Sequence, residues 1–443
     1  MLRIFSFILI IILSLGYYLY TSQLIVSIAF LAYCILGLLF LKVILRTINK
    51  EVFDLYLFSF FMYSSLVLLT HIELIQNPFE DYFIHNDASL SFYFGIMAYA
   101  IPEEWNNLLD SSFFNPAFAD YPLASLLFAT IGKIGQEFDI VNIRLFLRMQ
   151  IPTFGAMIIA VISDIFFKFS LKKDLLYKLV LPFSICSFIF ISSAIFSRDI
   201  HVTFIYTLFG YYLLQPNKNN LILLVILAII ATGLRPVNGI ILILPILLYI
   251  NKDKGKKLSP IIFTFLIVAI ILLVGDGMFD YGIRKLNYYQ ETTSAANVGG
   301  IFELVNRLPF PINNICICIY MLLMPLPIYM YLAPSIEGTS FLTLPFVLSP
   351  YLMALVFVSC IYFVSKKHSN HYIKKYILCT LLLFFLIIYA APDIRRAFAV
   401  IPMLYMAFCI IYKDIPKSLI RKTKNIIWPI IVVINLIFII YLL

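Results

Sequence analysis

Apolar runs long enough to cross a lipid bilayer follow one another along most of this chain. A membrane-spanning helix needs about 20 apolar residues, and thirteen stretches of the sequence approach that length. They are residues 4–21, 24–45, 53–71, 148–169, 176–196, 199–214, 220–234, 236–250, 258–275, 345–365, 376–391, 396–412 and 425–442. Hydrophobic residues form 63% of the chain and charged residues 12%, against about 45–50% and about 25% in a soluble domain. The sequence therefore predicts an all-α fold, a polytopic bundle of about 11–13 transmembrane helices, with residues 1–443 as a single membrane domain.

The lysines predict the orientation of this bundle. Of 21 lysines, 19 fall in connections that the alternation of spans places on one side. Cytoplasmic loops are enriched in basic residues, so we expect this side and the N-terminus to be cytoplasmic. Two long segments, 72–148 and 276–344, are then extracytoplasmic, and each is expected to carry juxtamembrane or re-entrant helices. In the second segment, the apolar stretch 312–332 is interrupted by prolines and is expected to be re-entrant or to lie at the membrane surface.

Composition also excludes several classes of protein. The net charge of +9 could suggest a nucleic-acid-binding protein, but the lysines are distributed between spans and form no basic face. The seven cysteines lie mostly inside apolar runs and include no CxxC pair, which is typical of packing residues. We find no Walker, Rossmann, zinc or serine-hydrolase motif. The sequence therefore predicts no metal-ligand residues, no soluble cofactor and no nucleic-acid partner, and it leaves a metal requirement open.

The first extracytoplasmic segment, 72–148, is unusually acidic. It holds ten of the 23 carboxylates: Glu73, Glu80, Asp81, Asp87, Glu103, Glu104, Asp110, Asp120, Glu137 and Asp139. We interpret it as a catalytic loop in which Asp87, Asp81 or Glu80 acts as a general base at the membrane surface. Alternatively, Asp87 caps a helix that begins at Ala88. Glu103 and Glu104 are expected to be solvated on a surface helix.

Arginine shows the opposite distribution from lysine. Eight of 11 arginines are expected outside or at outer helix ends: Arg144, Arg148, Arg198, Arg235, Arg284, Arg307, Arg395 and Arg396. A solvated positive face would use both kinds of basic residue. Arginine alone favours bidentate binding of phosphate or diphosphate, which matches its planar guanidinium. The alternative is snorkelling or structural pairing at the outer interface.

Three successive outer hairpins carry arginine at their tips, and we predict that these residues bind substrate. The first, SRDIHVTF, contains Arg198, Asp199 and His201, and the second, ATGLRPVNG, contains Arg235. The third, APDIRRAF, contains Arg395 and Arg396. Charged residues at membrane depth are costly and often functional. Alternatively, Asp199 only neutralises Arg198, and Asp393 only neutralises Arg395. Arg235 has no acid beside it in the sequence, which makes it the strongest candidate for anion binding.

Several stretches resemble a known superfamily. NDASLSFY, ADYPLASLLFATIGKIG and NIRLFLR before a span resemble the opening of the C-type (GT-C) membrane glycosyltransferases. LRPVNGIILILPILL, MLLMPLP and DIRRAFAVIP are similar to helix-end motifs of these enzymes and of O-antigen or capsule polymerases (Wzy-type). The resemblance covers roughly residues 80–410. It implies a sugar donor linked to polyprenyl phosphate or diphosphate, an active site on the extracytoplasmic face, and no nucleotide sugar.

Together these features predict a glycosyltransferase of a bacterial cytoplasmic (inner) membrane. It would transfer sugar from an undecaprenyl-linked donor to a glycan acceptor such as lipopolysaccharide O-antigen, in the bilayer and alongside other membrane proteins of polysaccharide assembly. A repeat-unit polymerase is the first alternative. A flippase or transporter would be expected to show internal repeats and charges near the bilayer midplane. A non-catalytic assembly partner would not need arginine at three tips.

Overall fold

The fold is helical throughout the part of the chain that the computed structural model describes. That part comprises residues 2–76, 95–113, 121–215, 220–250, 308–309, 312–313, 316–317, 348–367, 370–390 and 398–442. No β-strand occurs in these ranges, which confirms the prediction of an all-α helical bundle.

The α-helices follow the apolar runs of the sequence. They are α1 (Leu2–Thr21), α2 (Leu24–Leu45), α3 (Lys50–Gln76), α4 (Leu108–Phe113), α5 (Pro122–Glu137), α6 (Ile143–Arg148), α7 (Ile151–Lys168), α8 (Lys173–Cys186), α9 (Phe188–Ser192), α10 (Asp199–Leu213), α11 (Asn220–Leu234), α12 (Pro236–Ile241), α13 (Ile243–Ile250), α14 (Ser349–Ser365), α15 (His371–Ala390), α16 (Ile401–Ile411) and α17 (Lys417–Leu442). A π-helical turn covers Ile96–Ala100, and 3₁₀ turns cover Trp105–Asn107, Phe398–Val400 and Tyr412–Asp414.

Five helical stretches in the described ranges are long and apolar enough to cross a membrane. They are Arg3–Thr21, Leu24–Leu45, Lys50–Ile72, Ile143–Lys168 and His371–Ile388. Two shorter apolar helices are Asn220–Leu234 and Ser349–Ser365. The chain is thus a helical membrane protein, and the larger number of 11–13 spans stays a prediction. The predicted span 258–275 and nearly all of the second outer segment, 276–344, lie outside the described residues.

Helix α7 forms the centre of the bundle, because nearly all of its residues are buried and it packs against α3, α10, α2 and α16. Gly155 permits close packing at this point, since a Cβ there would collide with Ser193, just after α9, and with Tyr63 of α3. Helices α1 and α2 lie at the periphery, and their apolar side chains remain uncovered, as at Leu19 and Val43. An uncovered apolar surface on such a helix is what contact with lipid requires.

Two predicted spans are interrupted in the structure. The span 176–196 is divided between α8 and α9 by Ser187, which has an extended backbone with φ −112° and ψ 166°. The span 236–250 is divided at Leu242, between α12 and α13. Hydropathy alone did not predict either break, because the residues on both sides are equally apolar.

One end of the bundle collects the lysine-bearing connections, and we call it the lysine end. Here Arg3 Nε lies 2.8 Å from Asp54 Oδ1, and Lys173 Nζ lies 3.2 Å from Glu51 Oε1. The hydroxyl of Tyr372, at the start of α15, donates to the backbone oxygen of Leu213 at the end of α10. These contacts join the start of α3 to the starts of α1 and α8, and the start of α15 to the end of α10, as alternating spans require.

We call the opposite end of the bundle the arginine end. The end of α1, the start of α2 and the end of α3 lie here. Gln23 Nε2 donates to the backbone oxygen of Asp139 at 2.9 Å. Asn142 Nδ2 lies 2.8 Å from Nε2 of His71, near the end of α3. Arg148, Arg198 and Arg235 belong to this end, through the contacts described below. Among the described residues, Arg148, Arg198 and Arg235 therefore lie at the end opposite most of the lysines, whereas Arg3 lies with the lysines and Lys133 lies with the arginines.

This separation predicts which residues face the cytoplasm. In a cysteine-free background, we expect a membrane-impermeant maleimide to label Val141→Cys, at the arginine end, in intact cells. Val141 is 87% exposed. Ser418→Cys, an exposed position at the start of α17, should react only after the membrane is permeabilised. Labelling of position 418 from outside would reverse the assigned orientation.

Candidate functional site

The structure describes four of the nine residues that the sequence predicts for the site. They are Arg198, Asp199, His201 and Arg235. The predicted bases Glu80, Asp81 and Asp87 lie outside the described residues, as do Arg395 and Arg396. The catalytic assignments in the acidic segment therefore stay predictions, and the site is built here from the first two hairpin tips.

The two tips meet through an ion pair. Arg235 Nη2 lies 2.6 Å from Asp199 Oδ1, and their side chains are only 13% and 6% exposed. Asp199 occupies the first turn of α10, and Arg235 precedes α12. The sequence offered Asp199 as a partner for its neighbour Arg198, and Arg235 as an arginine without an adjacent acid. In the structure, Asp199 instead pairs with Arg235, because the tips of successive hairpins lie side by side.

The backbone break at Arg235 follows from the sequence Leu-Arg-Pro. Proline disfavours helical backbone for the residue before it, and Arg235 is extended, with φ −160° and ψ 104°. Pro236 then starts α12, where its missing N–H costs nothing. Gly239 lets α12 lie directly against α11, since a Cβ at this position would collide with Thr232. The tip is therefore a tight turn that holds Arg235 toward α10.

Arg198 connects the first tip to the acidic segment. Its guanidinium carbon lies 3.8 Å from the centroid of the Tyr121 ring. Tyr121 immediately precedes α5, and two residues later Leu123 packs against Gly233 of the second tip. The C-terminal part of segment 72–148 is thus in contact with both tips, although the chain separates them widely.

The side chain of His201 is buried in the interior of the bundle. Its Nε2 lies 2.9 Å from Oε1 of Gln150, which precedes α7, and the residue is 3% exposed. The rings of Phe154 and Phe128 pack against the imidazole, with centroids 4.3 and 5.4 Å away. This environment favours a packing role for His201. Its predicted substrate contact stays untested.

Arg148 is the residue at this end whose importance sequence reasoning missed. It is fully buried, and its Nε and Nη2 donate to the backbone oxygen of Ala194 at 3.0 and 2.7 Å. Nη2 also donates to Thr70 Oγ1 at 2.6 Å. The guanidinium thereby ties the end of α3 to the segment between α9 and α10. The signal in the sequence was an arginine placed directly before an apolar span.

Lys133 is one of the two lysines that do not follow the lysine distribution, and its contacts explain why. The side chain is 9% exposed, and Nζ lies 3.1 Å from Glu137 Oε1. It also donates to the backbone oxygen of Glu103 at 2.6 Å. The side chains of Glu103 and Glu104 are exposed, which agrees with their predicted solvated position. Lys133 therefore has a structural role within the acidic segment.

We use the term polar cluster for Tyr121, Arg198, Asp199, Arg235 and Asn238. Asn238 lies one turn beyond Arg235 and is 1% exposed, and its backbone oxygen accepts a hydrogen bond of 2.6 Å from the Tyr206 hydroxyl. Across the residues with described positions, no three His, Cys, Asp or Glu side chains form a group that could hold a metal ion. The chemistry available here is charge stabilisation and hydrogen bonding.

The polar cluster at one end of a helical bundle defines the class as a polytopic membrane protein with a charged, partly buried site. Comparison of the chain with protein-family models, curated proteins and solved structures finds no match. The functional argument therefore depends on the site itself.

Loss of the buried Arg235–Asp199 pair should lower the stability of the protein more than loss of an exposed ion pair. Asp199→Ala would leave the Arg235 guanidinium without its carboxylate, and breaking a buried pair costs about 3–5 kcal/mol. Lys173→Ala, which removes the exposed partner of Glu51, should cost at most about 1 kcal/mol. Unfolding of the purified protein in detergent measures both. Equal stabilities of the two variants would contradict the structural importance of the Asp199–Arg235 pair.

Proposed function

We propose that this protein is a membrane glycosyltransferase that acts at the arginine end of the bundle. In this proposal it transfers sugar from a polyprenyl-phosphate or polyprenyl-diphosphate donor to a bacterial surface polysaccharide. One observation carries the proposal. The acidic segment and two arginine-bearing tips converge at the end of the bundle opposite the lysines, through the contacts Arg198–Tyr121 and Arg235–Asp199.

The reaction has two electrostatic requirements that such a site can meet. The bond between the sugar and a phosphate oxygen breaks, so negative charge increases on the departing phosphate, and a fixed guanidinium stabilises it. The acceptor hydroxyl forms the new glycosidic bond and loses its proton to a carboxylate. Asp87, Asp81 and Glu80 are our candidates for that base, from the acidic segment that leads to Tyr121.

The two arginines would have different parts in this chemistry. The positive charge of Arg235 is balanced by Asp199, so we assign it to positioning the second tip against α10. Arg198 is our candidate for phosphate contact, because its guanidinium carbon lies 3.8 Å from the centroid of the Tyr121 ring, where the acidic segment meets the first tip. Hydrogen bonds to phosphate would use the planar fork of the guanidinium.

A repeat-unit polymerase would use the same end of the bundle, since its donor and acceptor are both lipid-linked, and it stays the alternative within this class.

A flippase or transporter would need charged groups along a path through the membrane. The buried carboxylate of Asp164 accepts a 2.6 Å hydrogen bond from Tyr211. It lies one turn from Lys168 at the lysine end, and so does not mark such a path.

The deletion of the gene in its bacterial host tests the proposal. We expect an altered surface glycan on gel electrophoresis, restored by the wild-type gene. Chains reduced to a single repeat would identify a polymerase, and full-length chains that lack one branch sugar would identify a transferase. An unchanged glycan would refute this function.

In the same host, Arg198→Lys should lower the rate of glycan modification by about tenfold, equivalent to about 1.4 kcal/mol. Lysine keeps the charge but loses the paired hydrogen bonds of the guanidinium. Arg3→Lys, at the lysine end, should behave as wild type and serves as the matched control. Full activity of Arg198→Lys at normal expression would assign Arg198 a packing role.

The Asp87→Asn variant distinguishes a role of Asp87 as general base from a role as helix cap. Asparagine caps a helix about as well as aspartate but cannot accept the proton. A general base predicts a stable, inactive variant, with Glu103→Gln and Glu104→Gln close to wild type because those side chains are exposed. Retained activity of Asp87→Asn would transfer the role to Asp81 or Glu80, or show that the segment only binds substrate.

A further inference from the structure

The side chain of Asn238 is buried without a hydrogen-bond partner. Its exposure is 1%, and neither Nδ2 nor Oδ1 makes a hydrogen bond of good geometry to a residue whose position the structure gives, although the Tyr206 hydroxyl lies nearby. Buried amide groups are hydrogen-bonded in the great majority of proteins. Leaving a buried polar group unpaired costs free energy. This amide therefore calls for a partner that is not part of the described chain.

The position of Asn238 places that partner inside the polar cluster. Asn238 lies in the first turn of α12, three residues after Arg235, which immediately precedes this helix. The Tyr206 hydroxyl holds the backbone oxygen of Asn238 at 2.6 Å. Tyr206 and Asp199 are seven residues apart, two turns on the same face of α10. Asn238 is thus held between α10 and α12, on the side where Asp199 meets Arg235.

The chemistry of the amide selects the kind of partner. A carboxamide presents two N–H donors and an accepting oxygen. A phosphate offers only acceptors and would leave Oδ1 unpaired, whereas a hydroxyl donates and accepts at once. The neighbouring guanidinium is already balanced by Asp199, so this part of the cluster does not demand an anion. The amide is suited to a neutral group rich in hydroxyls.

We infer that the Asn238 carboxamide binds hydroxyl groups of the substrate sugar, within the polar cluster. This inference rests on the proposed function and adds a sugar subsite to it. With this subsite, two different residues recognise the two polar parts of the lipid-linked donor. Arg198 contacts the phosphate, and Asn238 contacts the sugar that is transferred.

Thermal unfolding of the full-length protein in detergent tests the division, with undecaprenyl phosphate as the probe without sugar. The sugar-bearing probes are undecaprenyl phosphates that carry glucose, galactose or N-acetylglucosamine. We expect at least one of them to raise the unfolding temperature of the wild type more than undecaprenyl phosphate does. Asn238→Leu should abolish that difference and keep the shift that undecaprenyl phosphate alone produces. Ser359→Ala, another buried polar group without a described partner, should preserve both shifts.

The outcomes separate this inference from the proposed function. If the wild type responds to none of the lipids, the proposed function fails, and the inference fails with it. If the lipids stabilise the wild type but the effect of the sugar persists in Asn238→Leu, the amide is paired only with water and the inference is overturned. The same holds if no sugar-bearing lipid exceeds undecaprenyl phosphate. Asn238→Ala repeats the test should the leucine variant fail to fold, with the same expected loss.

Discussion

The contact between Arg235 and Asp199 fixes how two helical hairpins meet at one end of the bundle. A charge removed from water is costly unless an opposite charge and hydrogen bonds replace the water. Both side chains are largely buried, and their atoms lie 2.6 Å apart. The α11–α12 break therefore cannot move away from α10 without exposing an unbalanced charge. The position of Asn238, one turn along α12, depends on this same contact.

Arg148 is a second buried charge whose polar contacts hold separate parts of the chain together. Its buried guanidinium donates to Ala194 and Thr70, so the chain that leads into the first tip is held to the end of α3. Arginine suits this task because it carries several donors in a rigid plane. The preference for arginine at this end thus has two sources. One is structural, at Arg148 and Arg235, and the other is the phosphate contact proposed for Arg198.

The two ends of the bundle also differ in the burial and pairing of their charged residues. Lysines cluster where the protein is expected to face the cytoplasm, and the contact between Lys173 and Glu51 is largely exposed and weak. At the other end, Arg235 and Asp199 form a buried pair, and Arg198 contacts the acidic segment through Tyr121. The polyprenyl-linked donor that we propose would place its charged headgroup at this end while its lipid tail stays in the bilayer.

The sequence by itself determined the helical class, the approximate positions of most helices and the separation of lysine from arginine. These properties depend on composition and on local rules, such as the helix break that Pro236 imposes at Arg235. Only the tertiary structure decided the partners. It paired Asp199 with Arg235 instead of its neighbour Arg198, and it turned His201 inward to Gln150. It also divided an apolar run at Ser187. Hydropathy measures how well a residue tolerates lipid, but a buried charge is satisfied by whichever group the packing of helices brings within reach, and that group can come from any part of the chain.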